Sequence, residues 1–398
     1  MITPSEALSI IQDKIKPLGV ESIPLINACR RVLAAPFLSR RSVPMEDSSA
    51  MDGYAVRAED TLNPPAKLKV LGVIPAGSSV EGVHIGKGEC CKIMTGAFIP
   101  SGSDAVAQKE FTDNGEDLVE IKTSVPSGTH IRLAGENLAE GELLNFAGER
   151  LTPFTMSRLV SAGAIYADVY RKPRVAVLST GTEIAPPAEY DNLKKMLDSN
   201  SPAVMAIAEE AGGIPEYLGV IPDDQKKLAD ALLSLKGFDL AVVSGGISVG
   251  DFDFMSRMHE AINLKWHFDK VSQKPGKPFS FGELNGLPIM AFPGNPVSTV
   301  FCAFLYMTAA ILRLQGANQC VCEPESAVLG EKIAHKKGFV NYDRAKLVNE
   351  NGILTAYPYK TQSSGIFFSL LACNAFLEIP SEIDVLAKGE TVKAYRYK

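Results

Sequence analysis

The sequence predicts a multi-domain α/β protein on three observations. These are its length, an alternation of apolar runs with amphipathic helical patterns over residues 174–314, and flanking stretches with the texture of small β-modules. At 398 residues, and with domains typically near 150 residues but often smaller, the chain is expected to hold roughly two to four domains. A hydrophobic share of 46%, a charged share of 22% and a mean hydropathy of +0.06 describe a globular chain rather than a disordered one.

Along the central block run strand RVAVLS (174–179), a helix around SPAVMAIAEEAGG (201–213), strand YLGVI (217–221), helix QKKLADALLSLKG (225–237), strand DLAVVS (239–244) and helix DFMSRMHEAI (253–262). Strands separated by helices of this length form βαβ units, so the sheet is predicted to be mostly parallel and doubly wound. FSFGEL and LPIMAF then flank Asn285-Gly286, a pair suited to the positive φ angles of a type I′ turn, and predict a hairpin. A long apolar helix closes the block after PGNP, with Pro296 in its first turn.

Residues 42–130 are rich in Gly, Pro, Val, Ser and Thr, and residues 323–398 alternate short strands with turns, so each is predicted to be a β-module. Residues 1–41 and 131–170 read as helical, and because the first β-module lies between them they are candidates for one discontinuous domain. The opening stretch MITPSEALSIIQDKIKPLG predicts a capped amphipathic helix, with Thr3 or Ser5 as cap and Pro4 in the first turn. It lacks the basic head and unbroken apolar stretch of a signal peptide, and no apolar run reads as long enough to span a bilayer. The expected compartment is the cytoplasm.

Acidic residues outnumber basic ones by 46 to 40 and the isoelectric point is near 5.6, which argues against a broad nucleic-acid-binding surface. The seven cysteines are scattered, and Cys320-Val-Cys322 has no second pair to complete a zinc set; reduced, mostly buried thiols are expected. Against this acidic background KPGKP (274–278) gathers Lys274 and Lys277 around a Pro-Gly turn, with Lys270 just upstream. Pro275 and Pro278 stiffen the loop and lower the entropy lost when a ligand orders it. A small anion suits such a cluster; an exposed basic turn is the alternative.

In a doubly wound sheet the ligand crevice lies beyond the carboxyl ends of the strands. Three further loops fall there. In STGTE (179–183), Ser179, Thr180 and Gly181 let the backbone approach a ligand and Glu183 adds a carboxylate; a tight turn with a surface Glu is the alternative. In SGGISVGD (244–251), Gly245, Gly246, Ser248 and Gly250 offer exposed amides ahead of a helix, as a phosphate requires, although the stretch is neither a P-loop nor GxGxxG. In FPGNPVS (292–298), Pro293, Gly294, Asn295 and Pro296 make a rigid strand-to-helix turn, with or without a ligand.

A divalent hard cation takes oxygen ligands, and magnesium keeps part of its water shell, so Asp52, Glu183, Asp223 and Asp253 are the candidate carboxylates. Asp52-Gly53 also reads as a hairpin turn, Asp223 as the N-cap of the helix near Gln225, and Asp253 as a helix cap. Arg344 and Ser364 fall in the C-terminal module, where a solvated charge and a turn serine are the defaults. The histidines show no metal-ligand spacing, and there is no GxSxG elbow.

The order of SAMDGYAVR (49–57), MTGA (94–97), STGTEI (179–184), DSN (198–200), SGGISVGDFD (244–253), KPGKP and FPGNPVS resembles the molybdopterin molybdenumtransferase family, known as MoeA in bacteria and as the E domain of gephyrin in animals. The resemblance implies a cytoplasmic homodimer with four domains per subunit. These are an elongated helical domain (1–41 and 131–170), an inserted β-rich domain (42–130), a molybdopterin-binding α/β domain (171–318) and a C-terminal β-barrel (319–398). It implies insertion of molybdate into adenylated molybdopterin with release of AMP, assisted by Mg2+. By position, Lys274, Lys277, Arg344 and Ser364 match residues that hold molybdate. Asp52, Thr95, Glu183, Asp223, Asp253 and Lys270 match the family's functional polar positions, with the four carboxylates assigned to magnesium or water activation.

The chain departs from the family pattern at Asn137, where Asp is usual, and at QSSG in place of QGSG; Arg132 and Glu136 are kept. An amide at 137 keeps hydrogen bonding but removes the charge that a metal or base role would use. Two rival readings accompany the resemblance: a molybdopterin adenylyltransferase of the same pathway, which would resemble the central block alone and is a possible partner, and a noncatalytic scaffold like the gephyrin relatives.

Overall fold

The computed structural model describes residues 1–144, 146–191, 194–246 and 262–398. Its central sheet has six strands in the order Ile214–Ile221, Arg174–Thr180, Leu240–Ser244, Leu287–Phe292, Ser280–Leu284 and Lys265–Phe268. The first four are parallel and the last two join antiparallel, so the sheet is mostly parallel, as the alternation predicts. Asn285 and Gly286 take φ angles of 51° and 86° at the hairpin.

Both faces of this sheet are dry because side chains alternate along each strand. Val175, Val177, Leu240, Val242, Met290 and Phe292 face one core, where helices Asn200–Glu210 and Pro296–Leu314 pack. Ala176, Leu178, Ala241, Val243, Ile289 and Ala291 face the other, covered by helix Gln225–Leu233. The helix expected at 253–262 lies outside the described residues, apart from Ile262.

Pro296–Leu314 corrects one expectation. At 19 residues and a mean hydropathy of 1.8, it is long and apolar enough to cross a membrane by length and composition. Its apolar character has another cause, since 72% of it is buried inside the fold, where it lies between sheet and neighbouring helices.

Residues 42–130 contain a five-stranded sheet ordered Ala105–Gln108, Gly53–Val56, Glu89–Ile93, Ala66–Ile74 and Leu118–Ile121. Near the other end of the chain Glu325–Leu329, Val340–Glu350, Ile353–Pro358, Ala375–Ile379 and Thr391–Arg396 close into a barrel, completed by pairing of Val340–Glu350 with Ala375–Ile379. Ala327, Ala345, Ala356, Ala375 and Ala394 fill its core, and these small side chains let five strands close on themselves.

Residues 1–41 and 131–170 share a core built from Leu25, Leu33, Leu138, Leu144, Leu159 and Val169. They are less helical than the sequence reading expects. Among the described residues only Pro4–Lys14 and Pro153–Ser161 are α-helices, while Val20–Pro24 pairs antiparallel with Tyr166–Tyr170 and Phe37–Leu38 with Leu143–Leu144. Pro17, Gly19 and Pro24 break the first helical pattern, and YADVY alternates with the period of a strand. The first helix does form as its signals predict, with Thr3 and Glu6 in a capping box and Pro4 at its start. Its buried residues Ala7 and Ile11, with Ile15, pack into the central α/β core and not against the other helix of this pair.

Candidate active site

Register puts the ends of the parallel strands side by side: Thr180 lies beside Ile221, Ser179 beside Ser244, and Ser244 beside Phe292. The loops that leave these ends line a single cleft of about 800 Å³. Ser179, Thr180, Gly181 and Glu183 contribute one wall, Gly245 and Gly246 a second, Pro293, Gly294, Asn295 and Pro296 a third, and Asp223, Lys270 and Lys277 also reach it. Residues scattered over more than a hundred positions thus meet in one place.

Backbone geometry explains the glycines. Gly245 has φ 91°, and a Cβ there would stand 2.7 Å from the Thr180 carbonyl oxygen. Gly181 has φ 145°, and a Cβ would meet Ile184 at 2.7 Å and the Glu183 carboxylate at 3.1 Å. The absent side chains let two loops and the Glu183 carboxylate crowd together at the cleft floor.

Asp223 faces this wall instead of capping the next helix. Its carboxylate accepts from the Thr182 N–H at 3.1 Å, its own N–H donates to the Thr182 hydroxyl at 3.1 Å, and the cap of Gln225–Leu233 is Asp224. Glu183 and Asp223 therefore place two carboxylates in one cleft with two lysines. Among the described residues no group of three or more His, Cys, Asp and Glu is arranged to hold a metal. A pair of carboxylates fits magnesium, which completes its shell with water and substrate oxygen. Asp253, Ser248 and Gly250 lie outside the described residues.

Asp52 and Thr95 are brought together elsewhere, on the inserted β-module. Asp52 accepts from the Thr95 N–H at 2.9 Å and from its hydroxyl at 2.8 Å, with the Lys109 ammonium 3.5 Å from the other oxygen. The Thr95 hydrogen bonds, and then Lys109, hold the carboxyl below the usual carboxylate range. The hairpin-turn alternative for Asp52-Gly53 fails, because Gly53 begins a strand and a Cβ on it would stand 2.0 Å from the Ala107 carbonyl oxygen. Neither Asp52 nor Thr95 lines the cleft of its own chain.

The lysine turn is clamped from below. Gln273, wholly buried, donates to the Gly276 carbonyl at 3.3 Å and accepts from the Tyr306 hydroxyl. Lys277 projects into the cleft and Lys274 stands beside it, outside the lining. Ser364 meets the cleft rim, its hydroxyl accepting from the Asn295 amide at 3.1 Å. Arg344 is different: it is 1% exposed, and its guanidinium donates to Gln362 Oε1 and to the carbonyls of Ser363 and Thr361 at 3.0–3.1 Å. It braces the loop that carries Ser364, and the sequence default of a solvated charge is wrong here. Arg132, Glu136 and Asn137 are exposed and none of them lines the cleft.

Three family models cover this arrangement: the MoeA N-terminal region (domain I and II) over residues 2–163, a probable molybdopterin binding domain over 176–312, and the MoeA C-terminal region (domain IV) over 326–397. The molybdopterin molybdenumtransferase of Haemophilus influenzae is 32% identical over 98% of both chains, and that of Bacillus subtilis is 32% identical over 94% of this chain and 89% of its own. The chain belongs to the molybdopterin molybdenumtransferase family. A solved molybdopterin biosynthesis MoeA protein from Pyrococcus horikoshii superposes on all of it with a TM-score of 0.82 at 30% identity, covering 99% of that structure. The match spans the β-modules as well as the α/β block, which disposes of the adenylyltransferase alternative for a central block standing alone.

Within this family member, sequence reasoning missed several residues that build the cleft. Asn200 donates to the Ser244 hydroxyl at 2.8 Å and to the Gly294 carbonyl at 2.9 Å, tying two loops together, while its Oδ1 is buried without a partner. The Thr180 hydroxyl is likewise buried and unpartnered at the cleft wall. Asp198, buried, accepts from the Asn200 and Ser201 N–H groups and from the Tyr217 hydroxyl. The DSN motif was the available signal, but it could not say which loops Asn200 joins.

Proposed function

We propose that this transferase of molybdenum cofactor synthesis acts on adenylated molybdopterin and molybdate, releasing AMP in a Mg2+-dependent step. The observation that carries the reading is the convergence of Glu183, Asp223, Lys270 and Lys277 with three glycine- and proline-rich loops in one cleft. The amide-rich ends of helices Asn200–Glu210 and Pro296–Leu314 open onto the same space, which favours phosphate groups. Thr180 and Asn200 carry buried polar atoms without partners there, as a site for a polar heterocycle requires.

Glu183 and Asp223 would hold the magnesium, which supplies charge neutralisation at the phosphoanhydride when bound. Lys277 and Lys274 hold the molybdate oxyanion, Ser364 donates a hydrogen bond, and Arg344 acts through the loop it braces. Lys270 balances the developing charge on the phosphate. No Cys or His cage is required, since molybdenum meets the dithiolene sulfurs of the pterin. All seven cysteines are free, and five are buried.

Homodimer formation fits the surface of the N-terminal region, where Ile26, Phe154, Ile165 and Tyr166 are 83%, 86%, 68% and 61% exposed. A second subunit would also give Asp52 and Thr95 a cleft to complete. The cytoplasm suits the free thiols. The deciding assay measures AMP released from adenylated molybdopterin with and without molybdate and Mg2+. Release is expected only with both; release indifferent to molybdate would refute the transfer reaction, and binding without turnover would favour a scaffold.

A further inference from the structure

Both lysines of the KPGKP turn rest against one aromatic ring from a different module. The Lys274 ammonium lies 4.8 Å and the Lys277 ammonium 5.4 Å from the Phe339 ring centroid, inside the range of cation–π attraction. Backbone pairing delivers the ring. Gln273 and Lys274 pair in parallel with Val340 and Asn341, the Val340 N–H donates to the Ser272 carbonyl at 3.0 Å, and the Ser272 hydroxyl donates to the Gly338 carbonyl at 3.1 Å. Phe339 is thus anchored through both of its neighbours. The turn is fixed from its other side as well, since a Cβ on Gly276 would stand 2.7 Å from the Gln273 amide and 2.8 Å from the Cys302 sulfur.

We propose that Phe339 is a positioning residue for the oxyanion site, holding Lys274 and Lys277 side by side before the anion arrives. This rests on the reading that these two lysines bind molybdate. Each ammonium rides on a flexible four-carbon stem, and two like charges on neighbouring stems diverge into solvent when nothing opposes their repulsion. A ring that attracts both confines them, so less entropy is lost when the dianion binds. The barrel's part in anion recognition is then an uncharged one. A carboxylate in that position would attract the lysines too, but it would compete with the incoming oxyanion.

The test is molybdate binding to the full-length protein by equilibrium dialysis, for Phe339→Leu, Phe339→Tyr and Lys274→Ala. In parallel, ε-13C-lysine protein is read by NMR, with the two resonances assigned through Lys274→Arg and Lys277→Arg. Phe339→Leu is expected to weaken molybdate binding about threefold to tenfold, the change that one or two exposed cation–π contacts imply. Phe339→Tyr, which keeps the ring, should stay within about twofold of wild type. The two lysine resonances should lie upfield in the wild-type and tyrosine proteins and move to the solvated position in the leucine variant. Binding and resonances unchanged by Phe339→Leu, with Lys274→Ala weakened, would overturn the proposal alone. Equal losses in the leucine and tyrosine variants would assign the effect to packing and overturn it as well. Unchanged binding in Lys274→Ala would instead remove the oxyanion assignment, and this proposal with it.

Discussion

The cleft and the seam between the lysine turn and the barrel solve one problem, presenting polar groups to a ligand, by different means. The cleft is made at the carboxyl ends of one sheet's strands, where parallel register aligns the ends of Arg174–Thr180, Leu240–Ser244 and Leu287–Phe292, and each loop brings its own short motif. The seam is made across two modules: Lys274 and Lys277 come from the α/β body, and Phe339 and Arg344 from strands of the barrel or their edge. In the first, a charged side chain faces open space and its role is read from its position. In the second, what a side chain does depends on what packs over it. Lys277 and Arg344, both cations expected at the same anion, illustrate the difference: one lines the cleft, and the other is buried and hydrogen-bonded to a loop.

The largest expected effect breaks the cleft side of this comparison. On the proposed mechanism Glu183→Gln, which keeps shape and removes charge, should lower turnover by about a hundredfold or more while leaving the melting curve in place. Steady-state AMP release and thermal denaturation on the same sample check it. Next is the seam. Arg344→Ala should cost about 3 kcal/mol in denaturant unfolding, since it removes three guanidinium hydrogen bonds, leaves the Thr361 carbonyl without its donor and opens a cavity, whereas Lys277→Ala should change stability by less than about 0.5 kcal/mol. Equal stability losses in the two variants would erase the distinction drawn between them.

Gly245→Ala tests whether the cleft floor tolerates a side chain. At φ 91°, with the Thr180 carbonyl oxygen 2.7 Å from the new carbon, the variant should lose about 1–3 kcal/mol and part of its substrate affinity. The smallest effect concerns His335, whose ring nitrogen lies 2.8 Å from Asp343 Oδ2 in the barrel. The Asp343 hydrogen bond raises the imidazole pKa above its usual value, although burial and nearby Lys274 pull the other way. Stabilisation from a raised folded-state value is complete below the unfolded pKa of about 6.5 and is lost as pH rises through the folded value. The melting temperature of wild type over His335→Gln should therefore be highest near pH 5.5 and shrink toward pH 8.5, with at most about 1 kcal/mol involved.

Much of the α/β body was legible because its signals are local. The continuous apolar runs of RVAVLS and DLAVVS, the Asn285-Gly286 turn and Pro296 at a helix start each specify one element through neighbours in sequence. The segments around 20–24 and 166–170 were misread because neither strand is strong alone, and each exists by pairing with the other across the length of the inserted module. Asp223 and Asp224 stand side by side in IPDD, and composition could not tell which would cap the helix and which would turn to Thr182. Asn200 and Gln362 stand in the DSN and QSSG motifs, but a short stretch could not say that Asn200 ties two loops together or that Gln362 holds Arg344.

The sequence by itself determined the family, the α/β core and the set of loops that line the cleft, because motif order, hydrophobic period and turn residues are properties of short stretches. Only the tertiary structure decided which charges face a ligand and which face the protein. Burial and hydrogen-bond partners are set by contacts between segments far apart in the chain, and a guanidinium reads the same in sequence whether its donors end on an anion or on three oxygens of its own fold.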